Sequence, residues 1–203
     1  MSSQRRRIFL VRHGDTVGES RVRFHGKNDV ALSDEGRAQI RRLVPLVERE
    51  RFVAVVCSPL IRARESAAIL CLELDPAPPL EVDESLREIW FGAIEGLSEP
   101  EIQERHPEWH AEWKAGRHTG FPGGDALAEF RERVARGIDA LLARWPQGDL
   151  LVVAHRGIVR HALLHLCGGD VHDRERYAVD LGTLSIVEQA EAWKLVALGL
   201  GGP

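Results

Sequence analysis

Five short apolar runs, separated by longer helical patterns, constrain the fold more than any other feature of this sequence. The runs are continuous and rich in β-branched residues, which is typical of strands buried on both faces of a sheet. Strand and helix alternate along the chain, which implies right-handed crossovers and a mostly parallel sheet. The sequence therefore predicts an α/β fold, a three-layer α/β/α sandwich with helices on both faces of the sheet. The runs cover residues 8–11, 53–57, 150–154, 183–187 and 194–198.

Helical patterns lie between these runs and supply the layers that cover the sheet. The first pattern contains Pro45, which should kink or interrupt the helix because proline has no backbone N–H. In the second pattern, Ser58 can cap the helix and Pro59 can take its first position, which places Arg62 in the opening turn. The patterns cover residues 34 to about 50, 59 to about 72, 125 to about 144 and 158 to about 167.

One segment interrupts the alternation of strand and helix. Residues 86–122 carry three tryptophans among glycines and prolines, which predicts an insertion of short helices and loops of the kind that forms lids over a site. Before it, residues 75–83 read DPAPPLEVD and predict a short extended connector. A length of 203 residues suits one compact domain, so we expect residues 1–203 to form a single domain that contains this insertion.

The charge balance argues against partners that carry a dense charge. The chain has 27 Lys and Arg against 31 Asp and Glu, a net charge of −4, so we expect neither nucleic acid nor a membrane as a partner. No apolar stretch approaches the length that spans a bilayer. The basic run Arg5-Arg6-Arg7 precedes an apolar stretch too short for a signal peptide, so we expect a cytoplasmic location. No heptad or apolar stripe indicates an oligomer interface, so the oligomeric state stays open.

Neither the cysteines nor the histidines form the complete pattern of a metal site. Cys57, Cys71 and Cys167 are odd in number, widely spaced and set among apolar residues, which indicates reduced core residues rather than a disulfide framework. The motif HALLH places His161 and His165 four residues apart, as in a zinc-protease helix. It lacks the glutamate of that motif and a third ligand, so an ordinary helix face is the better interpretation.

Basic side chains follow three of the predicted strands at the point where each strand ends. Because ligands bind at the carboxyl ends of parallel strands, these side chains would meet at one edge of the sheet. Each residue alone has an ordinary structural explanation, but two histidines and two arginines left unpaired in one pocket would be costly. A phosphate dianion would satisfy all four, because arginine forks bind phosphate oxygens and a neutral imidazole nitrogen can attack phosphorus. The residues are Arg12, His13 and Gly14 after the first run, Ser58 and Arg62 after the second, and His155, Arg156 and Gly157 after the third.

The chain contains the motifs LVRHGDT, RFHGKNDVALSDEG, CSPLIRARESA, LREIWFGAIEG and VVAHRGIVR, in this order and spread over nearly its whole length. In their order and spacing these motifs resemble the histidine phosphatase superfamily, also called phosphoglycerate mutase-like. The joint pattern is highly specific, although a single tripeptide such as RHG is not. The resemblance points to the phosphatase branch of that superfamily.

The resemblance implies a role for each residue at the predicted edge of the sheet. His13 would be the nucleophile that becomes phosphohistidine, and Glu88 would protonate the leaving oxygen. Arg12, Arg62 and His155 would hold the transferring phosphoryl group, and two arginines with a second histidine can neutralise its charge without a metal. We therefore expect no metal and no cofactor. The residues expected to bind substrate are Gly14, Thr16, Arg23, His25, Gly26 and Arg156.

Several positions depart from the commoner family pattern and leave the substrate open. Arg156 stands where a small residue is frequent, Glu19 where asparagine is frequent, and Ala126 where serine is common. Arg156 and Arg23 could bind a second anionic or polar group of the substrate, or they could form surface salt bridges instead.

The sequence thus predicts a phosphomonoester hydrolase that acts through a covalent phosphohistidine on a small phosphorylated metabolite. The resemblance extends to phosphatases of α-ribazole phosphate, of sugar phosphates and of phosphoproteins, and it does not choose between them. One alternative is phosphoryl transfer of the phosphoglycerate mutase type, which the short chain makes less favoured. The other is a phosphate-binding module without turnover, which would have no need of an acid such as Glu88.

Overall fold

The computed structural model describes residues 5–170, 173 and 176–202, so both ends of the expected 1–203 domain lie outside the described residues. The strands are β1 Arg6–Arg12, β2 Phe52–Cys57, β3 Leu80–Val82, β4 Asp149–Ala154, β5 Leu184–Gln189 and β6 Trp193–Leu200. Within the described residues they form one six-stranded sheet in the spatial order β3-β2-β4-β1-β5-β6. Every predicted strand is present, with boundaries that differ by one or two residues.

Helices occupy the segments that the sequence periodicity predicted. They are α1 Asp34–Arg41, α2 Val44–Val47, α3 Ile61–Cys71, α4 Glu99–Arg105, α5 Pro107–Lys114, α6 Leu127–Arg144 and α7 Arg156–Cys167. The expected interruption of the first pattern is confirmed, because Pro45 lies in the first turn of α2, where its missing N–H costs no helical hydrogen bond. Helix α1 is capped by Ser33, whose hydroxyl accepts the N–H of Gly36 at 3.0 Å.

The beginning of α3 corrects one prediction. The helix begins at Ile61 and not at Pro59, so Ser58 is not its cap. The carboxylate of Asp29, from a distant loop, accepts the N–H of Ile61 at 2.6 Å and takes the place of a local capping residue. Arg62 nevertheless keeps its predicted place in the first turn of the helix.

The sheet is mostly parallel, as predicted, with its antiparallel pairings at one end. β2 pairs in parallel with β3 and with β4, and β4 pairs in parallel with β1. β5 is antiparallel to both β1 and β6. The extended connector predicted over residues 75–83 includes the edge strand β3, which pairs with β2. Because β1, β2 and β4 run in the same direction, the residues that follow them lie at one edge of the sheet.

The alternation of side chains along β1 explains why helices cover both faces. Ile8 and Leu10 belong to a buried core that includes residues of α6 and α7. Phe9 and Val11 point to the opposite face and belong to a second core, with residues of α1 and α3. The three-layer sandwich is thereby confirmed, and both of its cores fix the position of the strand that precedes the site.

The segment expected to be an insertion forms short helices, as predicted, and brings an aromatic cluster near the site edge of the sheet. It contains α4, α5 and a single 3₁₀ turn at Gly92–Ile94. The rings of Trp109 and Trp113 stack with centroids 6.0 Å apart. Phe91 and Phe121 meet edge to face at 4.8 Å. Trp109 also lies 5.4 Å from Phe121 between ring centroids, so aromatic contacts pack α5, which is too short to be stable alone, against the loops of the insertion.

The three cysteines are free thiols, as expected, with Cys57 buried and Cys71 and Cys167 half-buried. In the part of the chain that the structure describes, every helix is too short or too polar to cross a membrane.

Candidate active site

Backbone hydrogen bonds between neighbouring strands bring the predicted site residues together. The N–H of His13 donates to the carbonyl of Ala154, and the N–H of Ser58 donates to the carbonyl of Val153, both at 3.0 Å. These bonds join the residues that follow β1, β2 and β4. The rings of His13 and His155 lie 5.1 Å apart between centroids. The convergence expected from the parallel strands is therefore present in the structure.

The contacts of His13 define which of its ring nitrogens carries a lone pair. Nδ1 lies 2.7 Å from the carbonyl oxygen of Gly14, an acceptor, so Nδ1 carries the proton. Nε2 accepts a hydrogen bond from Nε of Arg62 at 3.3 Å. Burial, together with the nearby guanidinium groups of Arg62 and Arg12, lowers the pKa of His13 well below its usual value. The imidazole is therefore neutral, with its lone pair on Nε2.

Ser58 orients the second histidine. Its hydroxyl lies 2.6 Å from Nε2 of His155 and also accepts the N–H of Leu60 at 3.3 Å. Because burial and the charge of Arg62 hold the pKa of His155 far below its usual value, the ring is neutral. We assign the Ser58 hydroxyl proton to Nε2, because the Ser58 oxygen already accepts the N–H of Leu60, and this assignment places the ring proton on Nδ1. That Nδ1 is buried and, among the described residues, has no hydrogen-bond partner.

Arg62 is fully buried and ties a loop to the site. Its Nη1 donates to the carbonyl of Asn28 at 2.8 Å, and its Nη2 donates to the carbonyls of His25 at 2.9 Å and Gly26 at 3.1 Å. Its Nε donates to Nε2 of His13. Burial lowers the pKa of Arg62, and the negative charge of Glu88 opposes that shift, so the guanidinium remains a cation at neutral pH.

Arg12 presents a second guanidinium at the same edge. Its Nη1 donates to the carbonyl of Val179 at 2.8 Å. Its Nε is buried and has no hydrogen-bond partner within the described residues. Burial and the neighbouring charge of Arg156 lower the pKa of Arg12 to about 10, which still leaves it charged at neutral pH. Nε of Arg12 and Nδ1 of His155 are thus two buried donors without an acceptor among the described residues.

Glu88 is the carboxylate that approaches this cationic group. It is 6% exposed, and its two oxygens accept the N–H groups of Ile89 and Gly157 at 3.0 Å each. Burial raises the pKa of Glu88, while the two backbone hydrogen bonds and the arginines act in the opposite direction. A buried carboxyl with a raised pKa stays protonated to a higher pH than an exposed one does, which favours a role as proton donor.

A cavity of about 700 Å³ opens over these residues. Arg12, His13 and Glu88 form part of its lining. The remaining lining comes from residues 20–25, from the insertion, and from α6 and α7. The predicted insertion therefore forms a wall of the cavity that contains the site.

The residues expected to bind substrate fall into two groups. Arg23, His25 and Arg156 line the cavity. Nε and Nη1 of Arg23 bind the carboxylates of Glu19 at 3.0 Å and Glu101 at 2.8 Å, so the salt bridge considered for this residue is present.

The second group, Gly14, Thr16 and Gly26, lies behind the cavity lining. A side chain on Gly14 would collide with the carbonyl of Gly36, and one on Gly26 would collide with the carbonyl of Ile89. Thr16 is buried, and its hydroxyl lies 2.7 Å from that of Ser20. The structure places these three residues in the support of the site, and their contact with substrate stays a prediction.

Two supporting residues were missed by the sequence analysis. Oε1 of Glu95 accepts the N–H groups of Lys27 at 2.8 Å and Phe91 at 3.1 Å, and the Glu95 carboxylate also binds the N–H of Gly26. Asp29, which caps α3, was not considered. Both carboxylates hold the loop whose carbonyls bind Arg62. Possible sequence signals were the position of Glu95 beside a glycine and that of Asp29 before α1. Carboxylates in such positions are common on protein surfaces, so neither signal was specific.

The HALLH motif has the contacts of an ordinary helix face. His161 packs edge to face on Phe130 with centroids 5.5 Å apart, while Nε2 of His165 lies 2.8 Å from the carboxylate of Asp139 at the surface. Across the described residues, no group of three or more His, Cys, Asp or Glu side chains has the arrangement of a metal site.

Comparison with known protein families identifies the family to which this chain belongs. The model of the histidine phosphatase superfamily (branch 1) matches residues 8–200. The chain belongs to this superfamily. The match includes each of the strand ends that build the site, and it confirms the resemblance seen in the sequence motifs.

Some curated relatives of this chain are about twice its length, and others have nearly the same length. The chain is 34% identical to a bifunctional protein of Mycobacterium tuberculosis over 185 residues, covering 90% of this chain but only 50% of the relative. It thus spans about half the length of the first curated relatives it matches. It is 28% identical to an acid phosphatase of Mycobacterium tuberculosis over 206 residues, covering 100% of this chain and 96% of the relative.

Among solved structures, the α-ribazole phosphatase of Shigella flexneri superposes with a TM-score of 0.85 at 25% identity, covering 97% of each chain. The chain is also 27% identical to the adenosylcobalamin/α-ribazole phosphatase of Salmonella typhimurium over 188 residues, covering 92% of each protein. The superfamily fold therefore extends over nearly the whole of this chain.

Proposed function

We propose that this chain is a phosphomonoester hydrolase that transfers the phosphoryl group of a small metabolite to Nε2 of His13. The state of His13 carries the proposal. Its Nδ1 proton is bound by Gly14, so the lone pair on Nε2 faces Arg62 in a buried, cationic setting. Because the pKa of His13 is lowered well below its usual value, that lone pair stays available at mildly acidic pH.

The unpaired donors around His13 suit the oxygens of a phosphoryl group. Nε of Arg12 and Nδ1 of His155 are buried without partners in the described chain, and Arg62 supplies a further cation. Donors that are already in place where charge develops stabilise the transition state without reorganisation. We therefore assign Arg12, Arg62 and His155 to the phosphoryl group, which needs no metal in this scheme.

Glu88 completes the chemistry in two steps. In the first, a bond forms between phosphorus and Nε2 of His13, the bond from phosphorus to the leaving oxygen breaks, and Glu88 gives that oxygen a proton. In the second, a water oxygen attacks phosphorus, the phosphorus–nitrogen bond breaks, and Glu88 takes a proton from the water. The products are the dephosphorylated alcohol and inorganic phosphate.

The choice of substrate draws on the relatives. The names of two relatives cite α-ribazole phosphate or adenosylcobalamin chemistry, and another is an acid phosphatase. Together with the size of the cavity, these names support a small phosphorylated metabolite, with α-ribazole phosphate and sugar phosphates as the first candidates. We also propose that residues 1–203 act as one catalytic domain and that the chain works in the cytoplasm.

The test is the release of inorganic phosphate from p-nitrophenyl phosphate, followed by rapid acid-free quenching to detect a phosphoenzyme. We expect turnover, together with an alkali-stable, acid-labile phosphoryl group that is absent from His13→Ala. Conversion of 3- to 2-phosphoglycerate without net phosphate release would instead assign the mutase reaction. Tight phosphate binding with neither activity would assign a binding module.

A further inference from the structure

The cavity is larger than a phosphoryl group requires. Its volume of about 700 Å³ lies in the range of pockets that enclose whole small-molecule ligands, roughly 300–1,000 Å³. Of the residues assigned to catalysis, Arg12, His13 and Glu88 line it, and the lining also includes residues of α6, α7 and the insertion. The rest of the substrate therefore has a dedicated binding surface, whose chemistry can be described from the side chains that form it.

Arginines from α6 and α7 form part of that surface. Arg131, Arg156 and Arg160 all line the cavity. Arg156 and Arg160 are four residues apart on α7, so they share one face and are separated by about 6 Å along the helix axis. Nη2 of Arg160 donates to the carbonyl of Asp173 at 2.9 Å, which fixes its position. His161 also lines the cavity, and burial together with the charges of Arg160 and Arg131 lowers its pKa to about 4.

The carboxylates of the cavity are engaged elsewhere. Among the described residues, those that line it are Glu88 and Glu99. Glu88 accepts two backbone N–H groups, and Glu99 forms an ion pair with Lys114 at 2.8 Å. Nε of Arg131 is buried and has no hydrogen-bond partner among the described residues. A buried donor of this kind indicates an acceptor that comes from outside the chain.

A second part of the surface is aromatic. Phe24 meets Phe91 edge to face at 5.2 Å and Trp113 at 5.8 Å, and Phe91 meets Phe121 at 4.8 Å. All four residues line the cavity. Because aromatic side chains bind planar or apolar groups through large contact areas, this surface suits the body of a substrate rather than its charged ends.

We propose that the substrate is a phosphomonoester that also carries a second anionic group, bound by Arg131 and Arg156, with a ring or apolar body against the aromatic side chains. The second anion is a carboxylate or a second phosphate. Arg160 lies beside it and adds to the positive potential. This inference rests on the proposed function, because it takes the phosphoryl group to lie at His13.

The experiment compares two esters that differ in one charge, 4-carboxyphenyl phosphate and its neutral isostere 4-carbamoylphenyl phosphate. A hydrogen bond to a charged group contributes about 1.5–3 kcal/mol, so we expect kcat/KM to favour the carboxylate by roughly ten- to hundred-fold, mainly through KM. Arg131→Ala or Arg156→Ala should reduce this ratio toward one. Arg136→Ala is the matched control, because Arg136 lies on α6 but forms a surface ion pair with Glu132, and it should leave the ratio unchanged.

Two outcomes would overturn the inference: a ratio near one in the parent protein, or a ratio that neither substitution at the cavity lowers. A higher kcat/KM for hydroquinone bisphosphate than for the carboxylate would identify the second group as phosphate. If no ester is hydrolysed, the proposed function fails, and the calorimetric affinities of the same two esters then test the anion site separately. Equal affinities would refute it.

Discussion

Replacing Glu88 by glutamine removes the proposed proton donor and also weakens the support that the carboxylate gives to the backbone. The structure allows the resulting loss of stability to be estimated. Both carboxylate oxygens accept a backbone N–H, from Ile89 and from Gly157, at 3.0 Å. A glutamine side chain has one acceptor oxygen, so its amide NH2 would face the other N–H group. An unsatisfied buried group costs about 1–3 kcal/mol, which corresponds to a decrease in Tm of roughly 2–12 °C for a chain of this size.

The kinetic effect of Glu88→Gln depends on the leaving group. An alkoxide leaves poorly without a proton, so alkyl phosphates should lose about a hundred- to ten-thousand-fold in kcat/KM, the usual contribution of a general acid. Nitrophenolate leaves unaided, so p-nitrophenyl phosphate should lose much less. Because burial raises the pKa of Glu88, the parent rate with alkyl esters should fall as pH rises through that pKa, and the variant should lack this dependence.

The assay is kcat/KM across a series of alkyl and aryl phosphates, with a rapid-mixing experiment on the nitrophenyl ester. Slower hydrolysis of phosphohistidine should give a burst of nitrophenol. Glu95→Gln is the matched control, because Glu95 also accepts backbone N–H groups but is not assigned to proton transfer. It should lower the rate by the same factor for every ester. If Glu88→Gln gives that same uniform loss and no burst, Glu88 is not the proton donor.

Further predictions concern the groups around the phosphoryl site. Arg62→Ala should lower kcat by roughly a hundred- to a thousand-fold, because a cation at the phosphoryl group is lost. It should also reduce the free energy of unfolding in urea, because three loop carbonyls lose their donor. Near-normal turnover would show that Arg62 has only a structural role. Ser58→Ala should lower kcat by about tenfold by releasing the ring of His155, which NMR would detect as a mixture of tautomers, whereas a single unchanged tautomer would contradict the orienting role. NMR titration of His13 should show no protonation near pH 6.5, since burial and the nearby arginines lower its pKa; ordinary titration would mean that the ring is solvated. Vanadate should inhibit competitively and EDTA should leave activity unchanged, and restoration of lost activity by a divalent metal would refute the metal-free scheme.

The sequence was sufficient to predict the parts of the site that depend on topology. Once β1, β2 and β4 are parallel, the residues that follow them must meet at one edge, which is why His13, Arg62 and His155 were predicted together. The prediction that Ser58 caps α3 was wrong, because a capping rule considers only neighbours in the chain. Its hydroxyl binds His155, which is distant in sequence, and a loop carboxylate from Asp29 caps the helix instead.

Contacts made by loops were outside the reach of sequence patterns for a physical reason. The edge strand β3 has three residues, too few for a periodic signal, and it exists because β2 offers a free edge to pair with. No sequence motif around Glu95 distinguishes a carboxylate that binds backbone N–H groups from one that lies in a solvated turn. The arginines on α6 also follow an ordinary amphipathic pattern, and only the position of the cavity distinguishes Arg131 from Arg136.

The site combines neutral histidines with charged arginines in a setting that is unfavourable for the protein without ligand. Burial keeps His13 and His155 neutral, while Arg12 and Arg62 remain cations, so the free site holds positive charge with two donors unpaired in the described chain. Buried polar groups without partners reduce stability. A phosphoryl group supplies the missing acceptors and the missing negative charge together, and donors that are already in place need no reorganisation when its charge is redistributed in the transition state. The same desolvation that costs stability in the free protein therefore strengthens the interaction with the transferring phosphoryl group.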